Sequence, residues 1–522
     1  MENGLNTEFA KPAAMKVQHE SVPMERYVGA SATQAVVEGE VALPGGLREE
    51  TRVLGCEALA LIDRCEAMSD RVSVDGKVTF HVLYTQGDPT HIAALEAGAE
   101  FTHSPEVRGS QPKQNAVATA MVEHVEASAQ SGRLRLRAIL RVYARVMTDA
   151  PVSVVVGVTD APGLTVQTAA LPACVTVSAG AAEALVRNEF ALSDVLQVQD
   201  TLYATANATV QDVMGGEDRL TVAGEIQLEV THRSQMPSRP LVTTRHTLPF
   251  EESFALTGQP GDAISCAVAV RDVAVLSQEG QQEGERVLRA EVLLGLNARG
   301  VRQTGATVLR DVYTTQGDLL TPVYQPTMRA VGYQQVHTAE SGKLTLLLDG
   351  EQPPARTPIK AILRPVLISS ERQNGKLTVE GMMETTLLYM TDDSEAPVTL
   401  HTEEPFTMAF ACELCDPESV QLVPTNVEAS GVTSDRVEIK YILHLTAGDV
   451  QLESEPVVSD VQRAPAEPTQ PGIVLYFTQD RETLWDIAKR YRVSQESIQR
   501  MNPELTADAP CEAGRSVILW QR

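Results

Sequence analysis

The chain is poor in the side chains that usually anchor a large core: of its 522 residues only 4% are aromatic, with nine phenylalanines and two tryptophans. Val, Leu, Ile and Ala must fill the interior, within a hydrophobic content of 43%. No apolar run approaches the ~20 residues that span a bilayer, so no direct membrane insertion is expected. Met1–Glu20 lacks the basic-then-apolar pattern of a signal peptide, which argues against export by the usual route. Seven cysteines (56, 65, 174, 266, 412, 415 and 511) are too few and scattered for a disulfide scaffold and read as ordinary reduced thiols. Cys412-Glu-Leu-Cys415 has no second pair at zinc-finger spacing, and the ten histidines form no HExxH or HxH pattern; no metal and no cofactor is assigned. Basic charge is also short, giving a net charge of −26. The last fifty residues balance seven acids against seven bases, so the first 472 carry the whole excess. Such a surface repels phosphate backbones, and no nucleic-acid partner is expected. No nucleophile–base pair is recognisable, and Gly45-Gly46 and Gly215-Gly216 lack the Lys-Ser/Thr of a phosphate loop. The reading is a non-enzymatic protein.

What is present is a repeat. Asp70–Tyr84, Asp218–His232 and Gly375–Tyr389 each place apolar residues on one parity around a glycine: Gly76, Gly224 and Gly381. Alternation with period two marks a half-buried strand. Asp75-Gly76 could be a hairpin turn, but that would put Val72 and Val74 on the opposite face from Val78 and Phe80. One continuous strand, bent or bulged at the glycine, keeps them together. A phenylalanine follows each glycine by 25 or 26 residues (Phe101, Phe250, Phe406). Second alternating runs follow at Leu134–Val142, Leu288–Leu296 and Val437–Leu445. Each unit then closes on a tail read as equivalent: Thr159-Asp160-Ala161, Arg310-Asp311-Val312 and Ser459-Asp460-Val461. These aspartates are expected to form turns.

The expected fold is mainly β: three tandem β-sandwich-like repeat domains followed by a small βααβ domain. The boundaries drawn are a flexible tail at 1–30, repeats at 31–165, 166–325 and 326–462, a proline-rich linker at 463–472, and the last domain at 473–522. In that domain Ile473–Phe477 and Val517–Leu519 read as strands. Thr483 and Ser494 can cap two helices, the first with an apolar stripe of Leu484, Ile487, Ala488 and Tyr491. Val493 and Ile498 fit a hydrophobic staple, and Asn502-Pro503 stops the second helix. Trp485 lies off the stripe and is expected at the surface.

Thr483–Tyr491, Val493-Ser494, Ile498, Asn502-Pro503 and Gly514 resemble a LysM domain along its full length. LysM domains commonly bind N-acetylglucosamine glycans through the loops before the first helix and after the second. The resemblance assigns partner or glycan contact to Gln479, Asp480, Arg481, Glu482, Thr483, Trp485, Asn502, Pro503, Glu504 and Leu505. Arg481 stands where members usually carry a glycine, so it should lack the left-handed backbone and the open approach that glycine gives, and glycan binding should be weak or absent. Repeats of this type followed by one LysM domain resemble the SipL type of spore morphogenetic protein, whose repeats are called SPOCS domains. That likeness implies a scaffold in the mother-cell cytoplasm, at the forespore surface and spore coat. Its LysM domain would bind the ATPase of the coat's basement layer and promote encasement of the forespore. The alternative is a LysM protein of the cell wall or spore cortex that binds peptidoglycan.

Overall fold

A computed structural model of the chain describes residues 15–43, 51–130, 133–216, 218–259, 261–279, 286–333, 335–348, 352–411, 417–448, 450–467, 471–506 and 509–521. Cys412–Cys415 and Gly45-Gly46 lie outside these residues, as do positions 1–14 of the expected tail and 468–470 of the expected linker. Strands hold 75% of the protein and helices 4%, so the fold is mainly β.

A short strand, β1 (Lys16–Val22), precedes the first repeat. This corrects the tail expected over 1–30: part of it pairs with a strand more than a hundred residues on. The repeat itself is β2 (Glu25–Val41), β3 (Arg52–Met68), β4 (Arg71–Gln86), β5 (Asp88–His103), β6 (Asn115–Gln130) and β7 (Arg133–Asp149). It folds as two antiparallel sheets, β3-β4-β5 against β2-β7-β6. After β8 (Val152–Thr159), the second repeat uses β9 (Leu164–Leu192), β10 (Val198–Gly215), β11 (Arg219–Ser234), β12 (Leu241–Ala255), β13 (Ala263–Glu279) and β14 (Arg286–Thr314). Its sheets are β10-β11-β12 and β9-β14-β13. Following β15 (Leu319–Gly332), the third repeat builds β17-β18-β19 and β16-β21-β20 from β16 (Val336–Leu347), β17 (Thr357–Gln373), β18 (Lys376–Met390), β19 (Val398–Ala411), β20 (Gln421–Thr433) and β21 (Arg436–Ala447).

The glycine-centred runs are the middle strands β4, β11 and β18; each is continuous, as the parity argument requires. Gly76, Gly224 and Gly381 sit directly opposite Phe101, Phe250 and Phe406. A Cβ at any of the three would reach 2.8, 2.7 or 2.7 Å from that ring and would strike the carbonyl of Leu61, Thr209 or Val366. The bulge itself lies on the neighbouring strand, where one residue is skipped after Ile62, Val210 and Leu367. So the glycine accommodates a bulge next door, and the phenylalanine covers the bare backbone. The second alternating runs are the middle strands β7, β14 and β21, buried along their inner parity. Each two-sheet unit, or head, has its own main core.

The segments between heads form a further body. β1 pairs with β8. The first half of the 29-residue β9 pairs with the last half of β14, and β15 pairs with β22 (Gln451–Ala464). Each head thus stands on a two-stranded stalk, and the stalks pack together. One core layer holds Val154, Val308 and Val457; another holds Val155, Leu309 and Val458 with Val158, Val312 and Val461. These are matching positions of three stalks, Val154–Val158, Val308–Val312 and Val457–Val461. That alignment corrects the tails read from sequence. The fourth position is Gly157, Asp311 and Asp460, and Asp160 lies three residues beyond it. Asp311 and Asp460 form no turn: each follows a bulge within its strand and accepts the N–H of the next residue at 2.8 Å. The heads also touch in a ring. Arg271 meets Asp63, Arg245 meets Glu428, and Thr399 donates to the Leu54 carbonyl.

Candidate binding site

The C-terminal module consists of β23 (Gly472–Phe477), α1 (Leu484–Tyr491), α2 (Gln495–Met501) and β24 (Ser516–Gln521). Thr483 caps α1 in a capping box with Asp486, and Ser494 caps α2. Of the expected stripe, Leu484, Ile487 and Ala488 are buried and Tyr491 is half-buried at its end; the staple pair Val493 and Ile498 is buried too, with Val517 and Leu519 from β24 beneath them.

One core residue comes from outside. Tyr313, at the end of the second stalk, packs into the module, its ring edge-on to Trp485 at 5.0 Å. The Tyr313 hydroxyl donates to the Val493 carbonyl at 2.9 Å. Trp485 Nε1 and Lys489 Nζ donate to the two carboxylate oxygens of Asp311, at 2.8 and 2.5 Å. Arg492 reaches the carbonyls of Thr314 and Gly317 at 3.0 and 2.6 Å. Trp485, expected at the surface, is only 7% exposed. The correction has a plain cause: the side of α1 that leaves the module's own core faces a stalk, not solvent.

The remaining predicted residues divide in two. Glu482 is buried, accepting from the Tyr476 hydroxyl at 2.8 Å and the Gln479 N–H at 3.0 Å and pairing with Arg490 at 2.8 Å. Asn502 is buried as well: its amide donates to the carbonyls of Ile498 and Ile518 and accepts the Ile518 N–H. Leu505 belongs to the core. These three shape the loops from beneath. Gln479, Asp480, Arg481, Pro503 and Glu504 face outward, and Thr483 is half-buried in its cap. Arg481 has φ of 58°, the left-handed backbone expected of the glycine it replaces. The arginine therefore keeps the loop's conformation and alters only what stands on it.

Sequence reasoning missed the other face. β23 and β24 pair Ile473 with Trp520 and Leu475 with Ile518. Ile473, Leu475, Phe477, Ile518 and Trp520 consequently share the outer side of the ribbon, and all are exposed, Ile473 by 71% and Phe477 by 59%. The signal was present in the unbroken apolar runs Ile473–Phe477 and Val517–Trp520. A ribbon covered on one side only should alternate.

Comparison with protein families matches the SipL SPOCS domain to residues 51–130 and the LysM domain to residues 479–520. The chain carries the domain pair of the SipL type. That pair makes it a sporulation-related protein with a LysM domain at its end. No curated protein and no solved structure matches the chain. Both matched families are binding or structural domains. Among the described residues no group of three His, Cys, Asp or Glu gathers as metal ligands, and no helix is long and apolar enough to cross a membrane. Burial pushes the Cys56, Cys65 and Cys174 thiols up to about 12, so at neutral pH they stay protonated and unreactive.

Proposed function

We propose that the protein is a non-enzymatic adaptor of spore-coat assembly, holding a protein partner through its LysM domain at the forespore surface of the mother cell. The partner that SipL resemblance implies is the ATPase of the coat's basement layer. The observation that carries the reading is the outer face of the β23–β24 ribbon, five large apolar side chains side by side. Contiguous exposed apolar surface of a few hundred Å² usually marks a protein contact. A small-ligand site is a concave cleft with a few precisely placed polar groups, whereas this face is the outer side of a two-stranded ribbon. The left-handed Arg481 keeps the alternative open at the loops, where Gln479, Asp480, Pro503 and Glu504 could line a peptidoglycan site.

Ile473→Arg separates the two. The exposed position makes the change safe for folding, and a charge placed beside Trp520 within the apolar contact should abolish co-purification of the ATPase from sporulating cells. Undiminished co-purification, together with peptidoglycan pull-down that Arg481→Glu removes, would replace the adaptor reading with the glycan one.

A further inference from the structure

The three stalks offer matching positions, but only one seats the LysM domain. After the bulge, the first presents Gly157, the second Asp311 and the third Asp460. Gly157 has no carboxylate. Asp460 has one and is exposed, but Gln462 follows where the second stalk has Tyr313. Beyond it, Arg463 pairs with Asp318. Only the second stalk joins an acceptor for the indole N–H and the Lys489 ammonium to an aromatic ring that enters the module's core.

We infer that Asp311 is the positioning residue of the LysM domain: it selects the second stalk as the seat and holds the ribbon face in one orientation toward the heads. The inference rests on the reading of that ribbon as the partner face. Seating leaves Ile473, Leu475, Phe477, Ile518 and Trp520 exposed, so the contact presents the face and does not mask it. Removing the carboxylate would leave a half-buried ammonium and a buried indole N–H without their acceptor, a change that favours release into water.

Trp485 and Trp520 are the only tryptophans, so Trp520→Phe in the full chain makes Trp485 the sole reporter of its seat. In that background Asp311→Ala should move the emission to longer wavelength and raise access to a soluble quencher. Lys489→Ala should shift it in the same direction from the other side, and Asp311→Asn, which keeps an acceptor for the indole, should fall between. Asp460→Ala should change nothing. An unshifted Asp311→Ala, or an equal shift with Asp460→Ala, overturns the assignment. With Trp520 intact, a fluorescent fusion of Asp311→Ala should lose its ring around the forespore. Ile473→Arg should lose the ring while leaving the Trp485 emission alone. A shifted Asp311→Ala that keeps or strengthens the ring overturns the positioning role and leaves the adaptor reading standing. A ring retained by Ile473→Arg defeats that reading instead, whatever the indole reports.

Discussion

The heads and the stalk bundle come from the same repeat, yet they distribute apolar residues in opposite ways. Each head buries its main core within itself, and a smaller cluster of Leu54, Leu83, Ile92, Tyr203, Leu241 and Leu388 joins the three heads. Val72, Val74, Val78 and Phe80 of the first pack against Leu134–Val142 of the same head. A stalk cannot do so. Its two strands leave Val154, Val155 and Val158, or their counterparts, facing outward, and only the other two stalks cover them. The unit of repetition in the sequence is therefore larger than the unit that can bury its own core. Private cores should respond to damage one at a time, and a shared core should respond as a whole.

The largest test of that contrast is Gly76→Val. A side chain there meets a backbone carbonyl and the Phe101 ring, neither of which can yield cheaply. The cost should reach ~4–5 kcal/mol, at the severe end for one substitution. Hydrogen exchange should become fast across β3–β5 while β17–β19 stays protected. Simultaneous loss in all three heads would mean that the cores are not private. Next comes Leu309→Ala in the stalk core, expected to cost about 3 kcal/mol. Exchange should accelerate together in β8, the end of β14 and β22; a response confined to the second stalk would break the idea of one shared core.

The effect most confined in pH distinguishes one head from its sisters. Eight residues past the glycine, the first and third heads carry Tyr84 and Tyr389, and the second carries His232. Its ring is buried between the hydroxyls of Thr201 and Thr244, and burial holds its pKa down at about 4. Above pH 6.5 the ring is neutral in folded and unfolded chains alike. Below that value the unfolded chain takes up a proton that the folded one refuses, so stability falls until about pH 4, by up to about 3 kcal/mol. His232→Tyr should flatten this acid slope for the second head. An unchanged slope in denaturant titrations between pH 7 and 4 would show that His232 does not set it.

The heads were legible because alternation is local. Parity around Gly76, Gly224 and Gly381 chose a continuous strand over a hairpin, and the spacing to each phenylalanine proved to be a direct cross-strand pairing. The LysM elements were legible for the same reason, from caps and a helical stripe. The stalks were not. Their apolar residues are adjacent pairs, such as Val154-Val155 and Leu309 beside Val308, and a bulge then changes the parity, so no period survives. Matching Asp160 to Asp311 and Asp460 by letter placed the first tail three residues out. The position of Trp485 was also beyond local pattern, since its partner lies 174 residues earlier. Asn502 and Leu505 sit in the expected loop, but their side chains turn toward the domain's own strand and core.

The shared stalk core has a consequence for symmetry and number. A chain with a single head and stalk would leave most of that core open to water. It could bury it only by associating with two copies of itself, in a closed ring that forms or dissolves with concentration. Joining three units in one chain removes that dependence. It also releases the three copies from identity, so Gly157, Asp311 and Asp460 are free to differ. A ring of equal subunits would offer three equal seats and carry three terminal domains. This chain carries one, giving a single LysM domain for every three heads.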